Sequence, residues 1–280
     1  MQDKLIRQKF MRLLLYPQPL RVFLLQRLLR NLPFLDYKTR LDFDLVPRAH
    51  YGYCIYHAAL QARTLGYPAI SVLEFGVGAG HSLLDAEYHK TRVEKSLGIK
   101  IETYGFDLGE GLPSPADYRD MPYFWQKGFY KMDVEALNKR IKSSKLILGD
   151  VGETVKTFFS EHQPAPVGAI SFDLDYYSST KMALQIFEAA QETRLPRVYS
   201  YFDDIIGLEH EVLHEFGGEL LAIQEFNDEH SRIKIAPEHG LTHKRKVPAQ
   251  WNDQIYVIHD FDHPDYNTYT YPTAYKGKTL

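Results

Sequence analysis

From about residue 69 onward, short β-rich runs alternate with stretches of helical periodicity, and that alternation restricts the chain to few architectures. The strand-like runs are "AISVLEFGV", "KIETYGFDL", "SKLILGDV", "GAISFDLD", "RVYSYFDD", "ELLAIQEF" and "QIYVIHDF". The helix-like ones are "HSLLDAEYHKTRVEKSLG", "DVEALNKRIKS", "GETVKTFFSEH" and "TKMALQIFEAAQET". Such an order predicts an α/β fold, Rossmann-like, with a mainly parallel sheet covered by helices on both faces. The last two runs are joined by "NDEHSRIKIAPEHGLTHKRKVPAQWND", too polar and turn-rich for another covering helix. The sheet is therefore expected to finish in an antiparallel pair. Ligands of open parallel sheets bind at the carboxyl ends of the strands, and the acids of this chain fall at those ends.

The other constraints are coarser. A chain of 280 residues can bury a large single-domain core, and a formal net charge of -3 gives no electrostatic reason to expect nucleic acid as a partner. The single cysteine, Cys54, leaves no internal disulfide and fits a reducing, cytoplasmic setting. No apolar run reaches the roughly 20 residues that span a bilayer. The N-terminus differs in composition: Lys4, Arg7, Lys9, Arg12, Arg21, Arg27 and Arg30 interleave with apolar residues at helical spacing, broken around Pro17 and Pro19. Two short basic amphipathic helices are expected there. They suit packing on the domain, packing on a sister subunit of a homo-oligomer, or peripheral attachment to an anionic membrane. The expected organisation is a helical extension over 1–50, one domain over 51–265 and a tail over 266–280.

In "VLEFGVGAGHS" an apolar run ends in Glu74, and Gly76, Gly78 and Gly80 follow at every second position before His81 and Ser82 open a helix. Bare backbone lets the chain turn tightly and lets a ligand approach, with helix amides facing the same space. The dinucleotide fingerprint G-x-G-x-x-G would need its third glycine at position 81, where His81 stands, which weighs against a nucleotide-linked oxidoreductase. Glu74 suits a cationic or amine-bearing ligand. Asp107 ends the second strand, where a carboxylate can accept from both ribose hydroxyls, and Asp150 ends the third, beside apolar Val151, where it can meet an adenine amino group. Each acid alone is equally at home as a helix cap or turn residue; together they outline a nucleoside.

These residues resemble the class I S-adenosylmethionine-dependent methyltransferases. "LEFGVGAG" is similar to that family's first motif, and "GFDLGEGLP" and "LILGDV" to the next two, over roughly residues 69–261. The resemblance implies a seven-stranded sheet with a reversed last strand. It also implies S-adenosylmethionine at Glu74, Gly76, Gly78, Gly80, His81, Ser82, Asp107, Asp150 and Val151. "FDLGEGLP", "FDLDYYSST" and "YFDDI" look most like the metal-dependent macrocin O-methyltransferase type, which acts on sugars. The chain departs from that type in "RLPRVYSYFDD", which lacks a Gly-Gly turn, and at Gly109, where an aromatic is usual.

Asp173 and Asp175 share a face if their strand persists, and Asp203 and Asp204 close the neighbouring strand. Four crowded anions raise one another's pKa unless a cation neutralises them, which implies a hard divalent ion such as Mg²⁺. The resemblance assigns Asp173, Asp203 and Asp204 as its ligands. Asp175 is the expected general base, with His81 a weaker candidate. The acceptor is expected to be a small hydroxylated, sugar-like molecule, with Tyr123 and Trp125 as a lid. The opposing reading makes the acids solvated strand ends, with Ser178, Ser179 or Thr180 starting a helix; a non-catalytic nucleoside-binding scaffold would tolerate their loss.

Three further stretches carry other expectations. "HEVLH", His210 to His214, matches the zinc-protease pattern H-E-x-x-H, but lacks a following helix for a third ligand; its histidines are expected on a partly exposed helix beside the acids. "HDFDHPD", from His259 to Asp265, is expected to be a surface loop, and "HKRK", His243 to Lys246, a solvated hairpin tip.

Overall fold

The computed structural model of the chain describes residues 20–270. The first expected N-terminal helix and residues 271–280 of the tail lie outside the described residues. Helix α1 (Leu20–Arg30) is the second member of the expected basic pair. It leads through α2 (Tyr37–Asp42), begun by the Asp36 carboxylate accepting from Thr39 N, to α3 (Ala49–Leu65), ended by Gly66 in the left-handed conformation.

The alternating part then follows as β1 (Ala69–Phe75), α4 (His81–Leu97), β2 (Lys100–Asp107), α5 (Val134–Arg140), β3 (Ser144–Leu148), α6 (Val151–His162), β4 (Val167–Phe172), α7 (Tyr177–Ala183) and β5 (Arg194–Phe202). The chain closes with α8 (Gly218–Glu229), β6 (Ile233–Pro237), α9 (Leu241–Lys244) and β7 (Ile255–Asp260). One seven-stranded sheet runs in the order β3-β2-β1-β4-β5-β7-β6. β1 to β5 pair in parallel, and β7 lies antiparallel between β5 and β6. The Rossmann-like class and the reversed last strand are thus as expected.

One strand was misplaced by the sequence reading. "ELLAIQEF" lies within helix α8, where Ala222, Ile223 and Phe226 form a buried helical face. The sixth strand is instead "IKIAP", inside the polar linker, where Ile233 and Ile235 both pack on the core while the outer edge faces solvent. A short apolar run does not reveal its period; here the three-to-four spacing prevails over the β-like composition. "TKMALQIFEAAQET" is likewise not one helix: α7 gives way to tighter turns at 184–188 and 191–193.

Alternation along each strand separates two cores. Ile70, Val72, Ile101 and Ala169 face α3 and α4, together with Tyr37, Leu41 and Val46 from the N-terminal segment. Leu73, Phe75, Tyr104, Phe106, Ile170, Phe172 and Phe202 face α6, α7 and α8. Arg194 and Asp260 form a buried ion pair at 2.8 Å where β5 and β7 meet. No described helix is long and apolar enough to cross a membrane.

The second core positions the site. Phe106, Phe75, Phe172 and Phe202 occupy paired positions on β2, β1, β4 and β5. Their rings form a continuous row, with centroids 4.7, 5.5 and 4.5 Å apart. Each is the last residue, or the last but one, of its strand. The register therefore brings the residues that follow them, Asp107, Gly76, Asp173 and Asp203, into one row along the carboxyl edge. Ladder bonds continue one step past the phenylalanines: Gly76 N donates to Phe106 O (2.9 Å), Asp173 N to Phe75 O (2.9 Å) and Asp203 N to Phe172 O (3.0 Å).

Candidate active site

A cavity of about 530 Å³ opens above this edge. Its wall includes the turn from Gly76 to Ala79, then His81 and Ser82, then Asp107, Asp150 and Val151, and on the far side Asp173, Asp175, Asp203 and Asp204. Of the expected site residues, Glu74 and Gly80 are off the wall.

The three glycines have separate causes, although all have positive φ (85°, 78° and 49° for Gly76, Gly80 and Gly78). A Cβ on Gly76 would stand 1.7 Å from the Asp173 carbonyl oxygen, and one on Gly80 would stand 2.2 Å from Leu137 Cδ1. These two are required by packing. A Cβ on Gly78 would meet nothing closer than Tyr130 Cβ at 4.0 Å, so this glycine leaves backbone bare toward open space.

Asp107 fixes the turn: one carboxylate oxygen accepts from Val77 N (2.9 Å) and Gly78 N (2.8 Å), the other from Gly109 N (2.6 Å). The first oxygen is thereby filled, and the second, with one bond, keeps acceptor capacity for a ligand. Asp150 caps α6 by accepting from Gly152 N (2.9 Å), while remaining on the wall. Glu74 lies behind the turn, 2% exposed. It accepts from the Tyr51 hydroxyl (2.9 Å), which in turn accepts from Ser171 Oγ (2.8 Å), and its second carboxylate oxygen has no partner among the described residues. Burial above all pushes the Glu74 pKa up to about 7. His81 is exposed at the start of α4, with Nδ1 3.5 Å from Arg140 Nη2.

Asp173, Asp203 and Asp204 each offer a carboxylate oxygen within 4.8 Å of the others. Burial, then Asp203 and Asp204, hold the Asp173 carboxyl well above the usual carboxylate range; burial, then Asp175 and Asp203, do the same for Asp204. No lysine or arginine pairs with any of these acids among the described residues. Helix α7 starts at Tyr177, ahead of Ser178, Ser179 and Thr180, and buried Asp120 accepts from Ser178 N (2.8 Å) and Ser178 Oγ (2.9 Å) in its first turn. Hard oxygen donors crowded without an ion-pair partner, with Arg48 acting on Asp173 only from a distance, fit a divalent cation such as Mg²⁺. Tyr201 donates to Asp203 Oδ1, orienting one of the three.

Asp175 reaches the cavity differently from the expectation that it shares a strand face with Asp173. β4 ends at Phe172, and Asp175 sits in the following turn at φ 60°, its N–H donated to Asp204 Oδ2 (2.9 Å). A non-glycine residue held left-handed is strained and persists only where its surroundings fix it. Burial first, then Asp173, Asp203 and Glu211, push its pKa up to about 8.

Arg48 and Glu219 lie outside the sequence expectations. Arg48 is the only lysine or arginine among the described residues lining the cavity, and its Nε lies 3.3 Å from Asp85. Tyr130, the last of the aromatic stretch that holds Trp125, and Glu211, from the H-E-x-x-H match, also line it. Glu219, behind the wall and fully buried in the first turn of α8, accepts from Asp204 N (3.0 Å), and its other carboxylate oxygen has no partner among the described residues. Reading residues 219–226 as a strand hid Glu219; helical spacing behind Gly217-Gly218 was the available signal. Of the expected lid, Trp125 is on the wall, 6% exposed, whereas Tyr123 is 59% exposed and points its hydroxyl at Val212 O (3.2 Å).

The competing motifs do not form metal sites among the described residues. His210 to His214 is a turn segment, not a helix, with Val212 at φ 49°, so the two imidazoles do not share a helical face. "HDFDHPD" begins on β7 and continues as turns, with Asp260 held by Arg194. In "HKRK" Arg245 is not solvated. Its side chain is 4% exposed, pairs with Asp44 at 2.6 Å and lies over the Trp251 ring.

No protein-family model matches the sequence, and no curated protein matches it. Solved structures similar to the chain include the calicheamicin methyltransferase CalS11, at 20% identity over 86% of this chain and 91% of that one, with a TM-score of 0.48. The O-methyltransferase NovP matches at 13% identity over 65% and 72%, with a TM-score of 0.46. The O-methyltransferase TomG of Streptomyces achromogenes, solved with S-adenosylmethionine, matches at 12% identity over 77% and 81%, with a TM-score of 0.41.

Proposed function

We propose that the chain is an S-adenosylmethionine-dependent, Mg²⁺-dependent O-methyltransferase acting on a small hydroxylated, sugar-like acceptor. The observation that carries this reading is the opening of two unlike surfaces into one cavity: bare backbone at Gly78 and, across from it, the crowded acids Asp173, Asp203 and Asp204, none of them in an ion pair among the described residues. The resemblance of "LEFGVGAG" and "FDLDYYSST" to metal-dependent methyltransferase motifs supports it.

The Gly76–Ser82 turn, Asp107, Asp150 and Val151 would hold the methyl donor, with Arg48 available for its carboxylate. Asp173, Asp203 and Asp204 would hold the ion. When bound, these groups supply an electrophilic methyl and a positive charge that lowers the pKa of an acceptor hydroxyl. The chain's own residues do the rest. Asp175, on the wall yet outside the three-ligand group, takes the hydroxyl proton, and Trp125 and Tyr130 flank the acceptor and exclude water. Charge disappears as a neutral sulfide and ether form, so orientation and proton removal matter more than an oxyanion hole.

The test is transfer of radiolabelled methyl from S-adenosylmethionine to glycosylated and polyhydroxylated acceptors, with and without chelator. Transfer abolished by chelator and restored by Mg²⁺ supports the proposal. Transfer that survives complete metal removal refutes the metal role alone, and absence of any cofactor binding refutes the methyltransferase.

A further inference from the structure

We infer that helix α1 is a docking face for an anionic lipid surface. The helix lies on the protein through one side only. Val22, Gln26 and Leu29 are half-buried, and Gln26 Nε2 donates to Phe43 O at 2.9 Å. At about 100° per residue, Leu24, Leu25 and Leu28 fall together on another side of the helix. They are 57%, 40% and 64% exposed, and Phe34, just past the helix, is 77% exposed. A helix with one apolar side docked and a second apolar side facing water has no partner for the latter among the described residues.

Charge selects the partner. Arg27 and Arg30 are exposed in the last turn; Arg27 borders the leucine stripe beside Leu24, and Arg30 lies further round the helix from it. The sequence has no aspartate or glutamate from Lys4 to Leu35, while the whole chain carries a formal net charge of -3. Positive charge is therefore concentrated where the exposed leucines are. A second copy packed through the same face would bring Arg27, at its border, toward its own counterpart, with no acid in the segment to receive it. An anionic bilayer answers both features: apolar side chains enter the acyl boundary and the arginines meet headgroup phosphates. This inference is independent of the chemistry in the cavity.

The test is flotation of the full chain with phosphatidylcholine vesicles, with and without phosphatidylglycerol. Binding is expected only to the anionic vesicles and is expected to weaken with salt. R27Q/R30Q should lower partitioning roughly 25-fold, at about fivefold per arginine near an anionic surface. L24E/L28E should abolish it, with both variants keeping the wild-type melting temperature. Equal binding to neutral vesicles, or no binding to either, overturns the inference and needs no variant. A dimer that L24E/L28E dissociates, in a protein that ignores vesicles, assigns the face to a second copy and also overturns it.

Discussion

Alanine substitution at the three glycines of the turn should give three different results, although the change is the same. At Gly76 the added methyl would stand 1.7 Å from the Asp173 carbonyl oxygen. That oxygen is backbone, and the N–H of the same residue is held by Phe75 O at 2.9 Å, so no side-chain rotation relieves the contact. A left-handed alanine costs roughly 1–2 kcal/mol. Overpacking against fixed backbone adds about 1–3 kcal/mol. Gly76→Ala should therefore lose about 2–5 kcal/mol and displace Asp173. At Gly80 the obstacle is the tip of Leu137, which can move, and the loss should be smaller. At Gly78 only the conformational cost of roughly 1–2 kcal/mol applies, because the nearest atom is 4.0 Å away. Its methyl instead occupies ligand space. Urea unfolding and calorimetric titration with S-adenosylhomocysteine separate the cases: Gly78→Ala should stay folded and lose at least about tenfold in affinity, or ~1.4 kcal/mol. Equal stability losses at Gly76 and Gly78, or unchanged affinity in Gly78→Ala, would refute the assignment of packing to one glycine and binding to the other.

Other consequences can be measured separately. Asp204→Asn should leave the metal-free protein at least as stable as wild type, because it removes one of the crowded charges. Excess Mg²⁺ should stabilise the wild type, by about 2.7 kcal/mol at a hundred times its dissociation constant, but not the variant; equal Mg²⁺ stabilisation of both in a thermal melt would contradict the ion site. Asp175→Asn should lower kcat by roughly 10²- to 10⁴-fold with S-adenosylhomocysteine affinity unchanged, and a parallel loss of affinity would show that the residue binds rather than takes the proton. His89 is fully buried between the Tyr37 hydroxyl (2.8 Å) and Pro47 O (2.8 Å), and burial lowers its pKa from 6.5 to about 4. Protonation therefore favours the unfolded chain: stability from this group is complete above pH ~6.5 and falls by about 3 kcal/mol as the pH drops to about 4. Urea unfolding of wild type and His89→Gln over that range should show a shallower pH slope in the variant, and identical slopes would remove His89 from the account.

Much of this was legible before the structure because strand ends are written locally. "EFG", "GFD", "SFD" and "YFD" each place a phenylalanine next to a residue of the carboxyl edge, and β1, β2, β4 and β5 follow from their own composition. The register itself comes from the structure, where adjacent parallel strands of matched depth stack the four rings in one row. What failed depended on distant partners. Whether "ELLAI" is strand or helix was decided by the core it packs on, and the edge strand at Ile233–Pro237 by pairing with β7. Arg245 looked solvated because its partners, Asp44 and Trp251, are remote in sequence or already read as loop. Glu74, expected to face a ligand, is closed behind the turn, while Asp107, on the cavity wall, also spends three hydrogen bonds on the turn; spacing alone does not reveal which way a carboxylate is engaged.

The most direct test is a crystal structure of the chain grown with S-adenosylhomocysteine and Mn²⁺ in place of Mg²⁺. The account predicts an anomalous peak among Asp173, Asp203 and Asp204 and the nucleoside lying over the bare backbone at Gly78. Carboxylates left metal-free at saturating Mn²⁺, or a nucleoside bound anywhere else, would contradict it.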